Sequence, residues 1–328
     1  MRFKNIYLRF LIKKLLFSIS VLFVLSILIY AILAATPGSY AQSGITSGMS
    51  KARIEALDKI YGQNEPVIGR YINWLKNAVK GDLGISFQSK KPVSEVIFSG
   101  MKYSFAVAFF ALLIELAVAI PIGIYSAVKK GKRFDKAASF ISILQISLPA
   151  FLIAILLKKT FALDLGWFPS SGVKTIGVEL EGIYALLDLL KHIVLPSLAL
   201  ALTNIGGLTR YVRGLLSEEL SKDYIKAARM RWIPERRVIM KHGFRNIRTP
   251  LITYIASSIP MLFSGAVIVE TLFGIYGIGS IAYKAALSRD YPLLMGFTIF
   301  LAVIIIATNI ITDLLYLVLD KRIKLEKD

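Results

Sequence analysis

Long runs of uncharged apolar residues dominate this 328-residue chain and decide what it can fold into. Residues 15–35 carry no charge, 103–128 carry only Glu115, and 137–157 carry none. The run 193–209 is shorter and starts beside His192. The run 251–269 continues past Glu270, and 291–319 carries only Asp313. A bilayer core takes roughly 20 apolar residues per helix. Backbone polar groups in lipid must be satisfied internally, which favours helices. The expected fold class is therefore an all-α polytopic membrane protein with about six transmembrane helices.

Composition agrees. Hydrophobic residues make up 55% and charged residues 19%, against about 25% charged in a typical soluble domain. The chain has no cysteine, which excludes a disulfide framework, a thiolate metal site and a cysteine nucleophile. Only His192 and His242 are available, so histidine-rich metal chemistry is disfavoured.

The net charge is +19. Nucleic acid or an anionic membrane face could each explain it, and its distribution separates the two. With the N-terminus inside, segments 1–14, 129–136, 210–250 and 320–328 hold 25 Lys and Arg, against 15 in 36–102, 158–192 and 274–290. Long loops translocate regardless of charge. Without 36–102 the bias is 25 against 6. Both termini are expected to be cytoplasmic, and no nucleic acid is needed. The basic stretch Arg2, Lys4, Arg9, Lys13, Lys14 resembles a signal-peptide n-region, but the apolar run behind it is longer than a signal h-region. It is expected to be an uncleaved anchor.

The organisation expected is a cytoplasmic N-terminus (1–14), a first transmembrane helix (15–35), an external segment (36–102), a transmembrane core (103–319) with a cytoplasmic segment at 210–250, and a cytoplasmic C-terminus (320–328). In the external segment 51–60 reads as a short helix with Ser50 as N-cap. Residues 67–79 read as a second, with Tyr71, Trp74 and Leu75 on one face, followed by a turn at 81–86. This segment is either a surface loop packed on helix ends or a docking platform. Around Trp167, Gly and Pro predict a tight turn with ordinary interfacial anchoring.

The segment 210–250 is too long for a simple turn. Asp223 is expected to N-cap a helix over 224–231, with Tyr224, Ile225, Ala228 and Trp232 on one face. Pro234 is expected to open a second helix, 235–246. The amphipathic helix suits either the anionic lipid surface or a groove in a partner. Glu115, Glu270 and Asp313 are acids within spans, either functional or paired structurally. Glu270 and Asp313 are expected near helix ends, where snorkelling lowers the cost. No phosphate loop, H-E-x-x-H or G-x-S-x-G occurs, so any energy for transport comes from a partner chain or an ion gradient.

The ordered motifs resemble a known family. They are Gly81-Asp82-Leu83-Gly84 with Ser86 and Pro92-Val93, Leu165-Gly166-Trp167-Phe168-Pro169 with Gly172, and His192 with Leu195-Pro196. Next come Asp223-Tyr224-Ile225-Lys226-Ala227-Ala228-Arg229, then Glu235-Arg236-Arg237-Val238 through Lys241-His242, Arg245-Asn246 and Pro250. Glu270-Thr271-Leu272-Phe273, Gly277-Ile278-Gly279, Arg289-Asp290-Tyr291-Pro292, and Asn309 through Asp313, Tyr316 and Asp320 follow. Over nearly its whole length the chain resembles the first (B-type) permease of the dipeptide/oligopeptide/nickel group of ATP-binding-cassette importers.

The resemblance implies the type I importer permease fold. It also implies a second permease, two cytoplasmic ATPases that bind ATP and Mg, an extracellular or periplasmic solute-binding protein, and a bacterial or archaeal cell (inner) membrane. No cofactor is expected in this chain itself. It implies ATPase coupling through Asp223, Tyr224, Ala227, Ala228, Arg229, Trp232, Glu235, Arg236 and His242. It makes Glu115, Glu270 and Asp313 candidate pathway or structural acids, and Asp82, Trp167 and Asp290 candidate binding-protein contacts. Family members usually have Gly where this chain has Trp232, and Asp-Pro-Arg where it has Asp320-Lys321-Arg322. The Trp232 ring is expected to follow the Tyr224 face, into an ATPase pocket or the headgroup layer. Peptides are the expected cargo. Nickel or metal-chelate uptake is the alternative within the fold, and a gradient-driven secondary transporter the alternative outside it, though no convincing repeat supports the latter. A membrane enzyme is disfavoured by the missing catalytic constellation.

Overall fold

The computed structural model describes residues 2–36 and 66–319. The expected helix at 51–60 and the Asp320-Lys321-Arg322 motif lie outside them. The described helices are α1 (Arg2–Ala35), α2 (Val67–Ala78), α3 (Val93–Val128), α4 (Arg133–Ser147), α5 (Ala150–Leu157), α6 (Gly182–Glu219), α7 (Asp223–Met230), α8 (Glu235–Arg237), α9 (Arg245–Leu272), α10 (Ile278–Ser288) and α11 (Tyr291–Leu319). π-helical segments Lys158–Asp164 and Val238–Phe244 follow α5 and α8. Among the described residues, four stretches are long and apolar enough to cross a membrane unbroken, and the number is up to six if each of two bent pairs is one span.

One of the bent pairs corrects the sequence reading. The run 137–157 is not a single rod: Arg133–Ser147 and Ala150–Asp164 meet at 99°. Leu148 is extended (φ −85°, ψ 129°) before Pro149. The residue before proline is pushed out of the helical region, and proline lacks the N–H that would continue the ladder. Other helices overrun their expected limits. Residues 93–102 begin α3, residues 210–219 end α6, and the helix expected to stop at 246 continues as α9.

The described residues fall into two compact units, one within Met1–Tyr103 and Tyr276–Ile310, the other within Ser104–Ile275 and from Ile311 on. In the first, α2 lies against α1. The Tyr71 hydroxyl is 2.9 Å from Ser26 Oγ, and the Tyr71 ring meets Tyr30 edge-on at 5.2 Å. Trp74 stacks on Tyr71 at 6.2 Å. The expected apolar face of α2 is thus spent on α1. Val93, Val96 and Ile97 of α3 make a core with Ile281, Ala285 and Leu293.

In the second unit α6 is the hub, with α4, α5 and α9 packed on it. Between membrane helices, packing rather than hydrophobicity drives association, and small residues let backbones approach. A Cβ on Gly206 would stand 2.7 Å from the Ser142 carbonyl oxygen, and one on Gly123 2.8 Å from Val212 Cβ. Asp135, 2% exposed, ties the α3–α4 turn to α6. It accepts from Arg213 Nε (2.5 Å) and its terminal nitrogen (2.8 Å), from Ser126 Oγ (2.5 Å) and from the Gly131 N–H (2.7 Å). The Arg213 guanidinium holds the Asp135 carboxyl well below the usual carboxylate range, against the opposing effect of burial.

Candidate partner-docking sites

The segment after α6 is built as a braced platform. Ile225 and Ala228 of α7 are buried against Val238, with Leu220 and Ile233 packed alongside. These are the apolar positions that helical spacing predicted, but Tyr224 and Trp232 leave that face. Asp223 is the first residue of α7 rather than its cap; Lys222 precedes it without a side-chain cap bond, and Asp223 pairs with Lys226 at 2.9 Å. Ala227 is exposed. Arg229 and Glu235 join the two short helices through bonds of 2.8 and 3.2 Å.

Glu219, absent from the sequence reading, is the central brace. It accepts from Lys222 Nζ at 2.5 Å, from the Tyr224 hydroxyl, and from Asn246 Nδ2 at 3.1 Å. Asn246 also donates to the Tyr224 oxygen at 2.8 Å, and Tyr224 reaches the His242 carbonyl at 3.3 Å. Burial pushes the Glu219 carboxyl up, but the Lys222, Tyr224 and Asn246 bonds outweigh it and hold it below its ordinary value. The available signal was Glu219 three residues before Lys222, just ahead of the recognised motif.

Trp232 is the main correction. Helix α7 ends at Met230, and Trp232 has φ +55° in the left-handed region that favours glycine. Its N–H donates to the Arg229 carbonyl at 3.0 Å, which closes the helix. The backbone keeps the glycine-like turn, and the indole stands 93% exposed beside an exposed Met230.

On the first unit, Asp82 is exposed and its Oδ1 accepts from the Gly84 N–H at 2.8 Å, fixing the turn. Asp290 is fully buried and cannot itself touch a binding protein. In the second unit two quoted motifs meet: the Gly172 N–H donates to the Phe273 carbonyl at 2.9 Å, and Lys158 Nζ caps Leu272 at 2.6 Å. Trp167 is exposed and tilted against Phe161 at 5.6 Å.

The span acids have different surroundings. Glu270 is fully buried and accepts from Ser104 Oγ at 2.5 Å, so it does not snorkel. Glu115 is 1% exposed, and its Oε2 has no hydrogen-bond partner among the described residues. Asp313 is partly buried on α11.

Comparison with known proteins defines the class. The family described as binding-protein-dependent transport system inner membrane component matches residues 119–325, and its N-terminal counterpart matches 7–108. The oligopeptide transport system permease protein AppB of Bacillus subtilis is 34% identical, over 96% of this chain and 99% of its own. The dipeptide transport system permease protein DppB of Alkalihalophilus pseudofirmus is 30% identical, over 97% and 99%. An inward-facing structure of the MetNI methionine ABC transporter covers 69% of this chain and 97% of its own, with a TM-score of 0.54 and 15% identity, and shares the fold. The chain belongs to the family of membrane permease components of binding-protein-dependent, ATP-binding-cassette transport systems. It is a multi-pass membrane protein with the type I importer permease fold.

Proposed function

We propose that this chain is one of two permeases that together form the pathway of an ATP-driven importer of small peptides. The cargo class rests on relatives named for oligopeptide and dipeptide transport that match nearly the whole chain. Two cytoplasmic ATPases bind ATP and Mg and supply the energy; this chain holds neither. An external solute-binding protein delivers the peptide. Both termini and the α3–α4 turn face the cytoplasm of a bacterial or archaeal cell, as the basic bias argues.

The observation that carries the coupling role is the braced α7 platform. Asp223, Ala227 and Arg229 sit on exposed faces of α7, while Ala228 anchors it from beneath. Tyr224, Glu235 and His242 hold its orientation. Arg236 and Trp232 remain exposed. Such a platform presents a helix to a groove in a partner. ATPase closure then moves α7, and through it α6. Outside, Asp82 and Trp167 are offered to the binding protein, whereas Asp290 shapes the first unit from within. Buried Glu115 and Glu270, with Asp313, act between helices of the pathway wall.

The test is uptake of labelled di- and oligopeptides by cells expressing the full transporter. Uptake is expected to stop when the phosphate-loop lysines of the ATPases are replaced. Uptake of nickel in place of peptides, or peptide uptake that survives those replacements, overturns this reading.

A further inference from the structure

A groove of about 480 Å³ opens between the end of α3 and the platform that follows α7. Pro121, Ile124, Tyr125 and Val128 form one wall, and Ile239 and Met240 the other. Arg236 is its one charged lining residue among the described residues. No bond or ion pair of Arg236 occurs among the described residues, and neighbouring Glu235 is already committed to Arg229. A second cation lies over one of the lining rings: Lys129 Nζ is 5.9 Å from the centre of the Tyr125 ring. Phe134 meets that ring edge-on at 4.6 Å, which holds it in place as a wall. Among the described residues no carboxylate lines the groove.

An apolar slot with one lining arginine and a lysine over its Tyr125 ring matches an amphiphile with an acyl chain and an anionic head. The groove sits at the basic end of α3, where Lys129, Lys130, Lys132 and Arg133 follow the apolar run. Interfacial aromatics and basic residues mark the headgroup level, and basic pockets between helices on the cytoplasmic side suit anionic lipid heads. An acidic peptide would leave the apolar walls unused. We propose that this groove binds an anionic membrane phospholipid, with one acyl chain between α3 and Ile239–Met240 and the phosphate between Arg236 and Lys129. One of its walls is the coupling platform, so lipid bound there braces that platform against α3. The proposal rests on the cytoplasmic placement given above and not on the cargo.

The test uses the full transporter reconstituted in phosphatidylcholine discs, with a phosphatidylglycerol probe carrying a photoreactive acyl chain. Labelling of residues 121–128 and 238–240 is expected. Unlabelled phosphatidylglycerol should compete and phosphatidylcholine should not. Lys129→Gln should weaken that competition about fivefold. Ile124→Trp, which fills the slot without changing its charge, should abolish labelling. Equal labelling by a phosphatidylcholine probe would leave only an unselective lipid-facing surface and overturn the proposal. So would absence of labelling, and crosslinking of Met240→Cys to the second permease would then identify a protein neighbour as the occupant. Because labelling is read without transport or ATP, it is independent of whether the cargo is a peptide.

Discussion

Ser86 donates its hydroxyl to Asp290 Oδ2 at 2.6 Å across 204 residues of sequence. The Gln88 N–H adds a second bond at 3.0 Å, and the Leu293 N–H meets the other carboxylate oxygen at 3.3 Å. One carboxylate thereby joins the turn after Gly81 to the start of α11. It follows Arg289, whose φ of +56° ends α10. Two of the ordered motifs, in which the resemblance made Asp82 and Asp290 candidate binding-protein contacts, are joined at Ser86 and Asp290 as one internal clamp.

Asp290→Ala should strand buried donors and lower stability by about 2–4 kcal/mol, since bonds to charged groups contribute about 1.5–3 kcal/mol each. Thermal unfolding of the purified transporter measures this. Any loss of binding-protein affinity should follow the folded fraction. Normal stability with lost affinity would instead make Asp290 a direct contact.

The Asp135–Arg213 pair makes a pH prediction. Its folded-state carboxyl lies below its unfolded value, so the stabilisation is complete above the ordinary carboxylate pKa and fades only as pH falls through the depressed one. The wild-type pair should therefore hold throughout mildly acidic conditions. Arg213→Met should cost about 3 kcal/mol at neutral pH, by leaving a buried carboxylate without its partner. It should also make stability fall at a higher pH than in the wild type. Parallel pH–stability curves for the two proteins would contradict this.

At Trp232, two substitutions separate backbone from side chain. Trp232→Gly should relieve roughly 1 kcal/mol of left-handed strain. If the indole fills an ATPase pocket, both Trp232→Gly and Trp232→Ala should weaken ATPase retention about 30-fold with normal membrane insertion. Wild-type retention and turnover in both variants would place the ring in the headgroup layer.

The topology is testable with single cysteines, because the chain has none of its own. Lys130→Cys should be protected from an impermeant thiol reagent applied outside intact cells. Position 130 is better than 131, where Gly131 has φ +79°. Labelling from outside would reverse the orientation.

The apolar runs were legible because burial in lipid demands a composition that no surface segment shares. Family membership was legible from motif order. Counting apolar residues, however, says nothing about direction, so Leu148–Pro149 passed unnoticed inside a run of the right length. The apolar spacing of Ile225 and Ala228 was correctly read, but extending it to Trp232 went past the end of the helix. Asp290 looked like a surface acid because its partner, Ser86, is remote in sequence. Asp135 was a lone acid in a basic turn, and only the fold brings Arg213 to it.

Helix α6 is a single element of 38 residues, about 57 Å at 1.5 Å per residue and nearly twice the thickness of a hydrocarbon core. Only three residues separate it from α7, and Glu219 at its tip bonds across that gap to Lys222, to Tyr224 in α7 and to Asn246 in α9. The joint therefore has no slack. A displacement imposed on α7 should therefore reach α6 as the turn of a crank, with the packing of α4, α5 and α9 along its shaft as the bearings.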